Sequence, residues 1–314
     1  MKIAFKNFFT RGFGYLPYFI LFYFIYQVEI FQEMVLVNGV LQLLLFLVVA
    51  CIPALFTKKM SYVDIAWPWG LVLIGVLALL LGQGYKPRIY LVAVMYLFSG
   101  LRMGIGALIL FSKGHLNSEL SRYSYQRRRW NKAGYKNLNL SLQYEIMIQC
   151  FANITFLAIP AILMSTNSTN SISTLELIGV GLWATWFILE HISDMQKQQF
   201  FKKSFLEKKK KQVCNVGFWK YTRHPNYFSE WMVWNAMIIS SISSFCAAFS
   251  GDQQLVWIII CVGLFYISYI MYTTLVYYTG AVPSEFYTLQ KRSNYKEYQE
   301  QTNMFFPGPN KNKN

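Results

Sequence analysis

Charge is scarce in this chain. Only 14% of its 314 residues are Asp, Glu, Lys or Arg, against 55% hydrophobic and 18% aromatic. Soluble domains carry nearer a quarter charged residues, so the polar surface here is too small to cover a water-soluble globule. Acidic residues are the scarcer kind, 14 against 29 Lys and Arg, for a formal net charge of +15. Cysteines are few and scattered: Cys51, Cys150, Cys214, Cys246 and Cys261 have no paired spacing. That excludes a zinc knuckle or a disulfide framework on sequence grounds, and no metal is expected. All five are expected to be buried, small apolar side chains. The N-terminus lacks a small-residue cleavage site, so Lys2, Lys6 and Arg11 are expected to precede a first span rather than belong to a cleaved signal.

Long apolar runs are what the chain has instead. A hydrocarbon core of about 30 Å needs roughly 20 mostly apolar residues to cross it. Residues 14–31, 34–56, 66–83, 89–112, 144–164, 174–193, 229–249 and 254–278 qualify or nearly so. The expected fold class is therefore all-α, a polytopic transmembrane bundle of roughly eight spans, within about seven to ten. Basic residues collect on alternate connections. Lys58, Lys59, the 113–143 connection, the 194–228 connection with its Lys208–Lys211 run, and both termini fall on one side. The other side carries 32–33, the Ser/Thr/Asn stretch at 165–174 and 250–253, with Lys86 and Arg88 as the exceptions. By the positive-inside rule both termini are expected on the cytosolic or matrix side. Because the rule is relative, endoplasmic reticulum, mitochondrial inner and bacterial inner membranes fit equally. Anionic lipids are the expected partners of the basic face, and no nucleic acid is. Asn167-Ser168-Thr169 has the form of a glycosylation acceptor, but its loop is very short and close to the membrane, so use is not expected.

Ionisable residues inside spans are costly, and each is a functional hypothesis. Arg102 lies well inside the fourth span and Asp64 opens the third. Glu190, Asp194 and Lys197 follow at i, i+4 and i+7, on one helical face. Arg223, His224 and Asn226 flank Pro225 at a helix start, with Glu230 four residues past Asn226. Proline suits a first helical turn, and a helix N-terminus beside Arg and His suits a phosphate. A pocket for an anionic cofactor, with apolar walls continuing into the bilayer, is the expectation from these residues.

From Phe218-Trp219-Lys220-Tyr221-Thr222-Arg223-His224-Pro225-Asn226-Tyr227 through Glu230-Trp231, the chain resembles the C-terminal region of the steroid 5-alpha reductases. More closely, it resembles the reductase-like membrane family known as DUF1295. Ser61-Tyr62-Val63-Asp64-Ile65-Ala66-Trp67, the Glu119…Arg122-Tyr123…Arg127 stretch, Asp194-Met195-Gln196-Lys197, and the tail from Thr279-Gly280 through Pro283-Ser284-Glu285 to Phe306-Pro307 agree with it in order. The Arg-His-Pro-Asn-Tyr…Glu core is shared with the isoprenylcysteine carboxyl methyltransferases. The division implied is 1–60, N-terminal spans; 61–307, a reductase-like membrane domain; and 308–314, a polar tail.

The resemblance implies an NADPH-dependent membrane reductase of a carbon–carbon double bond in an apolar enone lipid. It implies cofactor contacts at Asp194, Asn226 and Glu230. Arg223 and His224 are the expected phosphate ligands on chemical grounds, and Lys197 and Tyr227 complete the expected cofactor set. Tyr62 as a phenol donor and Asp64 as the carboxylate orienting it are the expected catalytic pair. Two other functions follow from the same residues: an S-adenosylmethionine-dependent membrane methyltransferase, or a non-catalytic subunit of a larger membrane complex. Glu285, standing without an acidic neighbour, counts against the methyltransferase.

Overall fold

The computed structural model describes residues 2–209, 211–292 and 294–311, with side chains from Arg11 onward. The side chains of Lys2 and Lys6, Lys210 of the lysine run, and residues 312–314 of the polar tail lie outside the described residues. Every regular element among the described residues is helical. The α-helices, in chain order, are α1 (Lys2–Tyr26), α2 (Gln32–Phe46), α3 (Ile52–Thr57), α4 (Val63–Leu81), α5 (Lys86–Ser112), α6 (Ser121–Lys132), α7 (Leu138–Ile154), α8 (Ile159–Thr166), α9 (Thr174–Leu206), α10 (Pro225–Ala248), α11 (Gln254–Thr273), α12 (Ala281–Lys291) and α13 (Tyr295–Gln301), with short 3-10 and π segments between some of them.

Among the described residues, seven stretches are long and apolar enough to cross a membrane: Glu29–Thr57, Val63–Leu81, Lys86–Ser112, Leu138–Thr166, Thr174–Leu206, Pro225–Ala248 and Gly251–Lys291. They coincide with seven of the eight expected spans. The remaining one, 14–31, falls on α1 as far as Tyr26 and then on a short 3-10 turn at Glu29–Phe31. Two connections expected as loops are partly helical. The 113–143 segment contains α6, and α9 runs on through Lys202 and Lys203 to Leu206. At 1.5 Å per residue a helix of that length outreaches the hydrocarbon core, and its polar last turns are good helix formers.

The two most extensively packed helix pairs are α4 with α5 and α9 with α10. Each depends on a glycine. A Cβ on Gly100 would stand 2.7 Å from the Pro68 carbonyl, and one on Gly179 would stand 2.5 Å from the Ser240 amide. Where lipid solvates apolar surface as well as protein does, such close approach is what holds helices together. Helix α8 is buried at every position and packs against α4, α5, α10 and α11. Within the apolar interior, Asn38, Gln42 and Asn153 tie α2, α4 and α7 together: Gln42 Nε2 donates to the Gly70 carbonyl at 2.8 Å and Asn153 Nδ2 to the Trp67 carbonyl at 3.1 Å.

Arg88, an exception to the basic pattern, is buried. It pairs with the equally buried Glu176 and donates to the carbonyls of Asn167, Thr169 and Ser171. The short 167–173 connection is thus wrapped around one guanidinium. Asn167, the glycosylation-like asparagine, has its amide nitrogen on Ser244 Oγ at 3.0 Å. The cysteines depart from the expectation in part. Cys51, Cys150 and Cys214 are buried, but Cys261 is half-buried and Cys246 is exposed on α10, where apolar surface meets lipid rather than core.

Candidate functional site

Two of the motif-bearing segments meet at the start of α4. Asp64, in its first turn, accepts from both Arg122 and Tyr123 of α6. One turn earlier, Glu119 accepts from the Met60 amide at 3.1 Å, from Ser61 Oγ at 2.7 Å and from Arg127. The phenol that Asp64 orients is therefore Tyr123 and not Tyr62, whose ring packs against Phe111 with centroids 6.4 Å apart. The correction has a simple cause: residues two apart at a helix start lie on nearly opposite faces, so Tyr62 does not share the face of Asp64. Burial works against the Arg122 charge, but the Asp64 carboxylate outweighs it and raises the guanidinium above its ordinary range. Burial, reinforced by Asp64, pushes the Tyr123 phenol well up.

A second cluster joins α5, α9 and α10. Arg102 pairs with Glu190 and, at 3.1 Å, with Asp194 Oδ2. Asn226 Nδ2 donates to Asp194 Oδ1 at 3.0 Å. The one-turn spacings Glu190–Asp194 and Asn226–Glu230 make this possible, since each pair shares a helix face. The clusters adjoin. Tyr227 lies within electrostatic reach of Asp64, Arg122, Asp194 and Glu230, and Glu230 within reach of Arg102, Arg122 and Asp194. Four carboxylates (Asp64, Glu190, Asp194, Glu230) thus stand with two guanidinium groups, each already paired. Asn226 Oδ1 and Arg122 Nε are buried without a partner.

Arg223 and His224 face elsewhere. Arg223 forks onto Glu285 at 2.7 and 3.1 Å and donates to the carbonyls of Gln299 and Thr302. His224 Nε2 lies 3.0 Å from Glu285 Oε1, and Gln299 Nε2 donates to the same carboxylate. The chain end is strapped across this knot, with Thr222 Oγ1 on the Phe305 carbonyl at 2.9 Å and the Arg223 amide on that of Asn303. Burial holds the His224 imidazole below its ordinary range, with the Glu285 carboxylate opposing. The His224 ring stacks on Tyr227, with centroids 5.3 Å apart, which links it to the basin. Lys197 sits with its ammonium 4.4 Å over the Trp219 ring.

The structure therefore gathers Asp64, Asp194, Asn226, Tyr227 and Glu230, with Lys197 within electrostatic reach of Asp194 at the margin; it turns Tyr62 onto Phe111 and engages Arg223 and His224 with Glu285, His224 touching the group through Tyr227. Sequence reasoning assigned no role to Tyr123. Its place within the Glu119…Arg127 segment was the available signal. On the neighbouring face of α9 and α10 an apolar cavity of about 280 Å³ is lined by Trp186, Leu189, Phe218, Pro225, Phe228 and Pro307, among others.

Fold and site define a multi-pass α-helical membrane protein with a polar basin sunk among its spans. The family model described as "Protein of unknown function (DUF1295)" matches residues 50–302, and the chain belongs to that family. No curated protein and no solved structure matches the chain.

Proposed function

We propose that the chain is a membrane reductase that saturates a carbon–carbon double bond in an apolar, lipid-like enone with a nicotinamide dinucleotide. The observation that carries the reading is the basin itself: Asp64, Arg102, Arg122, Asp194, Asn226, Tyr227 and Glu230, drawn from α4, α5, α6, α9 and α10. All seven are half-buried, and ionisable groups placed within a bundle mark a site by default. The segments that contribute most of them are those in which the chain resembles the reductases.

The residues present fit part of a dinucleotide. Asn226 Oδ1 is a buried acceptor without a donor, next to Asp194, and suits an amide or ribose hydroxyl. Glu230, with no hydrogen bond or ion pair among the described residues, is a further acceptor. Phosphate is a different matter. Arg223 and His224 are occupied by Glu285, so phosphate binding is not assigned to them. When bound, the nicotinamide would supply the hydride. Arg122, fixed by Asp64, holds a positive charge and an unpaired Nε where an enolate oxygen would gain charge, and the Tyr227 phenol lies within electrostatic reach of it. The apolar cavity between α9 and α10 supplies walls for a greasy substrate.

The test is titration of NADPH into the purified chain in nonionic detergent, followed by nicotinamide fluorescence. Asn226→Leu is expected to weaken binding about tenfold, the loss of one neutral hydrogen bond. Undiminished binding in that variant, or none in the parent, overturns the reading. Saturable binding of S-adenosylmethionine instead would assign the methyltransferase chemistry.

A further inference from the structure

A cavity of about 160 Å³ lies where α6 gives way to α7, lined by Arg127, Trp130, Asn131, Tyr135, Lys136 and Leu138. It shares no lining residue with the basin. Leu138 begins the membrane-crossing stretch Leu138–Thr166, so the cavity sits where a span emerges from the bilayer.

Its chemistry is that of an anion site. Arg127 and Lys136 bring two cationic side chains and Asn131 an amide. Arg127 donates one nitrogen to Glu119 and the Lys58 carbonyl, which fixes the guanidinium, while its Nε is buried with no acceptor. A buried charged donor left unfilled is unfavourable unless a ligand supplies the acceptor. Leu138 is the first residue of α7, a 17-residue helix, so the positive end of that helix dipole adds to the field. Behind the wall, the Arg11 guanidinium stands 3.8 Å over the Tyr135 ring and donates to Ser141 Oγ. Two carboxylates approach these walls. Glu119 is occupied by Met60, Ser61 and Arg127, and Glu145 by Gln126 and by Trp130 Nε1.

We propose that this cavity binds a phosphate monoester at the membrane surface, as the headgroup of an anionic lipid or as a soluble phosphate. The inference is independent of the reductase reading. Arg127 and Lys136 grip the phosphate oxygens, the α7 N-terminus adds to their field, and Trp130 and Leu138 give the adjoining carbon atoms an apolar floor.

The test uses the full chain in nonionic detergent and two probes, dihexanoyl phosphatidic acid and inorganic phosphate, each followed by phosphorus-31 line broadening. Saturable broadening is expected, with Lys136→Gln weakening it about tenfold, as for one charge-assisted hydrogen bond. Lys202→Gln with Lys203→Gln removes more charge from the same basic side and is expected to leave it unchanged. Lys136→Gln leaves the Arg127–Glu119 joint intact and so tests the site without unfolding it, whereas Arg127→Gln tests both. Tighter binding of the phosphatidic acid assigns a lipid headgroup, and equal binding assigns a soluble phosphate. Indifference to Lys136→Gln, or an equal loss in the Lys202/Lys203 variant, overturns the proposal, because diffuse surface charge would then account for the binding.

Discussion

Asn226 and Asp194 are joined amide to carboxylate at 3.0 Å, across the seam between α10 and α9. The same carboxylate takes Arg102 on its other oxygen, so three helices meet on one side chain. Everything expected of the basin depends on that convergence.

Arg102 is the keystone by charge. Arg102→Leu would leave Glu190 and Asp194 facing each other without a cation; a fully buried pair loses about 3 kcal/mol or more in this way, and this half-buried one is expected to lose less. A lowered midpoint in thermal or detergent-titrated unfolding is expected. Adding Glu190→Leu to Arg102→Leu should restore part of the loss; a double variant no better than the single would show that the pairing is not the cause.

The reassignment of the Asp64 phenol is separable by two conservative changes. Tyr123→Phe removes a buried hydroxyl from Asp64 and is expected to destabilise by about 1–2 kcal/mol. Tyr62→Phe is expected to stay within about 0.5 kcal/mol, as for a side chain away from any network. The reverse order in an unfolding titration would return the role to Tyr62.

On the opposite end of the bundle, Arg88→Met should be among the most damaging single substitutions, at about 3–5 kcal/mol, because it strands the buried Glu176. It also releases three loop carbonyls. Faster hydrogen exchange over 167–173 is the specific readout. A uniform change across the chain would argue that the loop is held by other contacts.

Acid sensitivity should trace to His224. Burial lowers its pKa in the folded chain below the ordinary histidine value of about 6.5, so the unfolded chain takes up a proton first as pH falls. The stability associated with the neutral imidazole is complete above about pH 6.5 and declines as pH drops toward the folded value. Unfolding midpoints at pH 7.5 and 5.5 should differ more in the parent than in His224→Asn. Parallel slopes in the two proteins would remove His224 as the sensor.

What the sequence determined by itself is local. Seven of eight expected spans coincide with stretches long and apolar enough to cross a membrane, because length and hydropathy are properties of a contiguous segment. The shared faces of Glu190 with Asp194 and of Asn226 with Glu230 were legible too, since a helix repeats every 3.6 residues whatever surrounds it. Partnership was not legible. Arg102 and Asp194 are 92 residues apart, and Arg223 lies 62 residues before the Glu285 that occupies it. Whether a cation is free for a ligand or closed within the protein depends on which helices the packing brings together. Only the tertiary structure decided that Arg223 and His224 brace the chain end, that Tyr123 takes the Asp64 carboxylate, and that Arg88 closes a loop.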